Sequence, residues 1–410
     1  LLALAIAASI ACAQSMPQPS PRPADIVETP KQLRGQQVVV TLAGGDAPQW
    51  EAIKQALASQ YGLRATGTFP LASIRVGCLV FEVPAGQHLD DVLAQLRADP
   101  RVESVQVNQL FDGASREHTD AYAGLQYGAV AIGAAAAHGV ATGKGVRIAI
   151  VDTGVDVEHP DLRGRIAKTA NFVDGGDKSF NADRHGTEVA GIIGARADDA
   201  IGIFGVAPDA ELVAAKACWY ANAQTAKATC SSWSLARAID FAIGEHSQVL
   251  NLSLTGPPDP LLARLLSAAE VREITVVAAA AEDRAGPGFP AAMQSVIAVV
   301  AGDAIGRVPI PAWVESKAAI AAPGVEILTT TPGGRYDFAS GSSLAAAEVS
   351  GVVALLIEKN NDMKPAEIRA LLLRTMHPAT TTGAAPTSSS PGIVDACAAL
   401  AELRAIPGCS

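Results

Sequence analysis

From residue 146 onward the chain repeats one pattern, a short apolar run followed by a longer stretch of helical spacing. That alternation, which is not an internal sequence repeat, constrains the fold more than any other feature. Val146-Arg147-Ile148-Ala149-Ile150-Val151 reads as a buried strand, and further strands are expected at 211–217, 248–254, 274–280 and 296–300. Helical spacing marks 132–138, 186–195, 234–245, 261–271, 344–358 and 365–375. Strands separated by helices are joined by crossovers and therefore pair in parallel. The expected fold class is α/β, a mostly parallel sheet with helices on both faces.

The chain upstream has a different texture. A strand is expected at 38–42, and Trp50, Ile53, Leu57 and Tyr61 fall at helical spacing. Strand-like runs follow near 71–75 and 79–83, then a helix marked by Leu89, Val92, Leu93 and Leu96, then a strand at 102–107. This β-α-β-β-α-β order predicts a small ferredoxin-like α+β module. Such modules serve many purposes. Before it, 14–36 is rich in Pro, Ser and Gln and reads as a disordered linker. Residues 1–13 read as the apolar part of a secretory signal truncated at its front, with Ala11-Cys12-Ala13 as a small-x-small cleavage site. Lipid attachment at Cys12 is the alternative, ranked second because Ser9 stands where a lipid-attachment motif prefers Leu. The expected division is therefore 1–13 signal, 14–36 linker, 37–111 module, 112–122 polar joint and 123–410 large domain.

Composition narrows the function. The chain has 410 residues, 49% of them apolar, and a net charge of -10, which argues against nucleic-acid binding because phosphate contacts need clustered Lys and Arg. No run approaches the ~18 apolar residues of a membrane span. Cys218/Cys230 and Cys397/Cys409 are each twelve apart, which suits two short-loop disulfides in an oxidising compartment. Four cysteines leave three connectivities open. Gly139–Lys144 falls one residue short of a phosphate loop, and Asn251-Leu252-Ser253 is a glycosylation sequon on a strand expected to be buried.

Three sharp, glycine-flanked junctions carry candidate chemistry. Asp152-Thr153-Gly154 follows the first strand of the alternation, where side chains line the ligand crevice of a parallel sheet. Arg184-His185-Gly186-Thr187 opens one helix, and Gly341-Ser342-Ser343-Leu344-Ala345 opens another. A serine at a helix start is usually a cap. Asp-Thr-Gly also occurs in aspartic proteases, but those need a second carboxylate to share the proton, and no second such motif is present. A carboxylate, an imidazole and a hydroxyl in the order Asp–His–Ser instead suit acyl transfer. The hydroxyl attacks, the imidazole takes its proton, and the carboxylate fixes the imidazole's tautomer.

With these motifs, and with His159-Pro160-Asp161-Leu162, Gly205-Val206-Ala207-Pro208 and Asn251-Leu252-Ser253-Leu254, the chain resembles the subtilisin-like serine proteases from about 128 to 396. The resemblance implies Ser343 as nucleophile, His185 as general acid/base and Asp152 as its orienting partner. It implies that the upstream module is an inhibitory propeptide, cut away within the joint, and that the products are an exported monomeric endopeptidase and its own intramolecular inhibitor. It places Ser253, Leu254 and Thr255 on one wall of a peptide-binding cleft and Ala279, Ala280 and Ala281 on the other. Thr255 and Ala281 stand for family glycines, so a narrow pocket for a small or medium apolar side chain is expected. Asp161 and the Asp198-Asp199 turn lie where some members bind calcium, although a solvated acidic loop and no cofactor is the favoured expectation. Two departures matter. Glu282 takes the place of the family's oxyanion-hole Asn, and a carboxylate donates only when protonated. Ala347 and Glu348 replace a Pro-His pair. The alternative to a working protease is therefore a pseudoprotease, or a once-only self-processing protein that then binds partners.

Overall fold

Apolar residues alternate along the first strand, and that alternation builds the N-terminal core: Val38, Val40 and Leu42 of Gln36–Ala43 (β1) all point to one buried face. In this computed structural model the described residues are 36–45, 47–71, 73–108, 118–173, 176–220, 228–281, 285–382 and 389–403. They fall into two compact units, Leu1–Asp112 and Gly113–Ser410.

In the first unit β1 is followed by α1 (Ala47–Tyr61), β2 (Arg64–Leu71), β3 (Val76–Val83), α2 (Leu89–Arg97) and β4 (Ser104–Val107). The four strands form an antiparallel sheet in the order β2-β3-β1-β4, with Leu57 of α1 and Val92 and Leu96 of α2 packed on it. The strand expected at 71–75 is corrected. It runs over Arg64–Leu71 and stops before a turn in which Arg75 has φ 57°. β2 is an edge strand, and so it accommodates Pro70 and the register irregularity at Gly67.

The second unit carries β5 (Arg147–Asp152), β6 (Ile166–Asn171), α3 (Arg184–Gly194), β7 (Glu211–Lys216), β8 (Cys218–Tyr220) and β9 (Ala228–Cys230). It continues with α4 (Ser232–Gly244), β10 (Val249–Leu252), α5 (Pro260–Val271), β11 (Thr275–Ala279), β12 (Ile297–Gly302), β13 (Ala319–Pro323), α6 (Ser342–Lys359) and α7 (Pro365–Thr375). Seven strands form one parallel sheet in the order β13-β12-β11-β10-β5-β7-β6. β10, β11, β12 and β13 are buried along their whole length, as expected of strands covered on both faces. The strand order reverses between β5 and β10, and such a reversal opens a crevice at the C-terminal strand ends. The helix expected at 132–138 is two short pieces, Tyr127–Ala131 and Ala134–Ala137, because Gly133 between them is left-handed at φ 70°. β6 and β13 are strands that the sequence pattern did not reveal.

Helix α6 crosses the sheet against β10–β13 and lies beside α3. It is apolar all round, as a core helix must be. Its one internal charge-bearing residue is Glu348, 2% exposed, whose Oε2 has no hydrogen-bond partner among the described residues. Burial pushes this carboxyl up to about 8. The unfolded chain ionises Glu348 near 4.5 and the folded chain near 8, so stability falls as pH rises through that window. Glu348→Gln removes the slope, worth roughly 1.4 kcal/mol for each pH unit it spans. Thermal unfolding of both proteins from pH 5 to 8 should show the variant's advantage growing with pH; parallel curves would exclude an ionisable, unpaired Glu348.

Candidate active site

Asp152 ends β5, and His185 is the second residue of α3. Asp152 Oδ1 accepts from Thr153 N at 2.6 Å and from His185 Nδ1 at 2.7 Å. With Nδ1 donating, His185 Nε2 keeps its lone pair and makes no hydrogen bond among the described residues. Asp152 is buried, while the imidazole stays partly open. Burial disfavours the imidazolium, but the charge of Asp152 and its hydrogen bond outweigh that, with a contribution from Glu188, and hold His185 above its usual 6.5.

The motif glycines explain how the two loops come so close. A Cβ on Gly186 would lie 2.4 Å from the Gly154 carbonyl oxygen, and one on Gly154 would lie 2.0 Å from that of Phe180. Only bare backbone fits at this crossing. Thr153 Oγ1 accepts from Gly186 N at 2.8 Å, and Thr187 Oγ1 accepts from Asp156 N at 2.9 Å. Asp183, the N-cap of α3, sends its carboxylate to Gly154 N (2.7 Å) and to the buried Lys216 ammonium, which sits opposite Asp152 in the β5–β7 register.

Ser343 is the second residue of α6, half-buried after Gly341 as N-cap. Its hydroxyl caps nothing. It donates to the Ser253 carbonyl oxygen at 3.1 Å, while Ser253 Oγ donates to the Ser343 carbonyl oxygen at 3.0 Å. Asn251 supports the pair from beneath, donating to Ser253 Oγ (2.9 Å) and accepting from Ser350 Oγ (2.9 Å). The same bonds dispose of the sequon, since Asn251 is fully buried. Asn251 lies opposite Ile150 in the β10–β5 register, so two residues further on Ser253 and Asp152 stand on adjacent strand ends. No hydrogen bond joins Ser343 to His185 in this conformation; such bonds are often loose before substrate arrives. The Ser343 N–H, in the first turn of α6, is left without an intrahelical acceptor and is a ready oxyanion donor.

Of the expected cleft walls, Leu254 and Thr255 make no backbone hydrogen bond among the described residues. Ala279, Ala280 and Ala281 are buried. Ala280 N donates to Val299, Ala281 N to the Pro287 carbonyl, and the Ala281 carbonyl accepts from the Trp313 indole at 2.7 Å. Gly288, left-handed at φ 74°, comes between the walls, for a Cβ there would lie 2.0 Å from Thr255 Oγ1 and 3.8 Å from Ala281 Cβ. Glu282 lies outside the described residues. Lys216, Asp183, Tyr220 and Trp313 escaped the sequence reading, and Asn251 was read only within a sequon and a family motif, although a lone Lys ending the apolar run Leu212–Lys216 was a usable signal.

Asp161, expected in a solvated acidic loop, is instead fully buried. One of its oxygens accepts from Ile203 N and the other from the Tyr336 hydroxyl, both at 2.9 Å. Asp198 instead joins His118 and Asp120, their donor atoms all within 4.8 Å of one another. An imidazole and two carboxylates supply fewer side-chain oxygens than the six or more oxygen ligands that calcium takes. The Cys218–Cys230 disulfide is present and Cys397 is also disulfide-bonded; Cys12 and Cys409 lie outside the described residues. Among the described residues no helix is long and apolar enough to cross a membrane.

The subtilase family model matches residues 143–394. The thermophilic serine proteinase of Bacillus sp. (strain AK1) is 34% identical over 310 residues, 74% of this chain and 74% of that protein. Subtilisin NAT of Bacillus subtilis subsp. natto is 33% identical over 300 residues, 71% of this chain and 74% of that protein. Among solved structures, a protease of Pseudoalteromonas arctica superposes with a TM-score of 0.61 at 25% identity, covering 70% of this chain and 99% of its own. Fervidolysin of Fervidobacterium pennivorans shares the fold with a TM-score of 0.58 at 22% identity, over 90% of this chain and 61% of its own. The chain belongs to the subtilase family and is a subtilisin-like serine endopeptidase acting on peptide or protein substrates.

Proposed function

We propose that this endopeptidase works through Ser343, His185 and Asp152, and that it is exported as a precursor that processes itself. The observation that carries the reading is the 2.7 Å bond from His185 Nδ1 to Asp152, which leaves Nε2 as the base. In the proposed reaction the Ser343 hydroxyl turns from the Ser253 carbonyl and gives its proton to His185 Nε2 as its oxygen bonds to the substrate carbonyl carbon. The oxyanion receives the Ser343 N–H. His185 then protonates the leaving amine, and water repeats the cycle on the acyl-enzyme. The open backbone of Leu254 and Thr255 pairs with the extended substrate, and Gly288 with Thr255 keeps the pocket suited to small side chains. No cofactor enters these steps.

The N-terminal α+β unit serves as the propeptide and intramolecular inhibitor, and residues 112–122 receive the cut. Residues 1–13 direct export, and the mature enzyme is a monomer. The fold order of the unit and the family's habit support this. Glu282 is the one residue against high turnover, since an ionised carboxylate repels the oxyanion; loss of the equivalent donor in a subtilisin costs about 10²–10³ in rate.

Full-length precursor incubated with a fluorophosphonate from pH 4 to 8 is expected to label and lose its N-terminal unit by intact mass, and Ser343→Ala to do neither. A folded precursor that neither labels nor processes would leave the binding-protein reading in front. Because the general base is neutral His185, the labelling rate rises with pH through a value above 6.5. Asp152→Asn removes the carboxylate that raises this pKa, so its rate profile moves to lower pH while kcat falls by about 10⁴. An unmoved profile would separate Asp152 from the base. Glu282→Gln supplies a neutral donor and should raise kcat at pH 7; no gain would remove Glu282 from the oxyanion site.

A further inference from the structure

Helix α3 presents His185 from its first turn, where backbone N–H groups lack intrahelical acceptors. An Asp at the N-cap ordinarily accepts from one of them. Here Asp183 does not, because its carboxylate is committed to Gly154 N and Lys216. The His185 N–H goes instead to the hydroxyl of Tyr220, at 3.0 Å. The helix carrying the proposed base is thus capped from outside, by a phenol on a separate hairpin.

That hairpin is anchored at its base, where Cys218 is buried in the core and Ala228 and Cys230 pack against it. β8 and β9 are three residues each, pair among the described residues only with one another, and lie outside the main sheet. A ribbon so short is not stable by itself. The Cys218–Cys230 disulfide joins the directly opposed pair at its base, two residues from Tyr220. Behind it, Ala217 N donates to the Asp152 carbonyl at 2.8 Å, and Ser234 Oγ donates to the Ala217 carbonyl at 2.7 Å. The segment from Lys216 to Tyr220 therefore touches the Asp152 strand end, the α3 N-cap and the His185 backbone in turn. Burial pushes the Tyr220 phenol up to about 12, opposed by the His185 N–H and reinforced by the carboxylates of Asp152, Glu188 and Asp183, so it remains a hydroxyl throughout the working range.

We propose that Tyr220 is a positioning residue for His185, and that the Cys218–Cys230 disulfide sets the alignment of the base by holding Tyr220 against the first turn of α3. The proposal rests on the reading of His185 as the general base. Without the hydroxyl the His185 amide is unpaired and the first turn of α3 frays. Without the disulfide the hydroxyl is no longer held in place, with the same result.

The test is a double-mutant cycle on the full chain, reading the second-order rate of phenylmethylsulfonyl fluoride inactivation at pH 8. This small reagent reports serine and imidazole reactivity with little contribution from peptide binding. Tyr220→Phe is expected to slow inactivation about tenfold, the loss of one hydrogen bond. Cys218→Ala/Cys230→Ala should do the same, and the triple variant should be no slower than the slower of these, because both act through one contact. Hydrogen exchange of the amides at 184–187 should quicken in all three. A folded Tyr220→Phe protein reacting at the wild-type rate overturns the proposal, as do losses that multiply in the triple variant. If the cysteine variant fails to fold, Tyr220→Phe and the exchange of these amides decide alone. Wild-type protein that does not react at Ser343 overturns the underlying reading of the base instead.

Discussion

A parallel sheet covered on both faces leaves only its strand ends for chemistry. In this chain the central strands of a seven-stranded sheet are buried by helices, and α6 crosses behind β10–β13 as an almost wholly apolar rod. Everything polar that must act is driven to the C-terminal edge, at the reversal between β5 and β10. Asp152 ends one of those strands and Ser253 follows the other. The helix starts that carry His185 and Ser343 are brought to that edge by hydrogen bonds to these two residues.

Holding charge at such an edge requires partners. Asp152 accepts from His185 and Thr153, and Asp183 from Gly154 and Lys216, so each buried carboxylate is compensated. Pairing Asp183 with Lys216 also frees the first turn of α3 for Tyr220. Glu348 is the contrast. Buried on α6 five residues after Ser343 with an unpartnered oxygen, it is tolerated as the neutral acid and becomes a liability as the pH rises.

Most sheet strands were legible because burial on both faces writes them as apolar runs bounded by turn residues. β6 was not. Its sequence Ile-Ala-Lys-Thr-Ala-Asn sits at the sheet's edge with its middle exposed, so no apolar signal is written. β13, Ala-Ile-Ala-Ala-Pro, is buried but so rich in alanine that periodicity is silent. In the N-terminal unit the order of elements was readable, while β2 was misplaced because an edge strand tolerates the Gly and Pro that ordinarily break one. The candidate triad stood out because each member is flanked by glycines, and the crossing of Gly154 and Gly186 backbones gives those glycines their reason.

The sequence alone determined the fold class and the family, and it named Asp152, His185 and Ser343 as candidates, because their signals are local: apolar runs, helix starts and short motifs. Tertiary structure decided what depends on distance between remote segments. It set Ser343 against Ser253, ninety residues away, put Tyr220 on the His185 amide, and committed both oxygens of Asp161 to Ile203 and Tyr336. It also left Glu348 Oε2 without a hydrogen-bond partner among the described residues. A side chain's charge and reach are fixed by its covalent chemistry, but its partners exist only once the sheet has brought distant strand ends together.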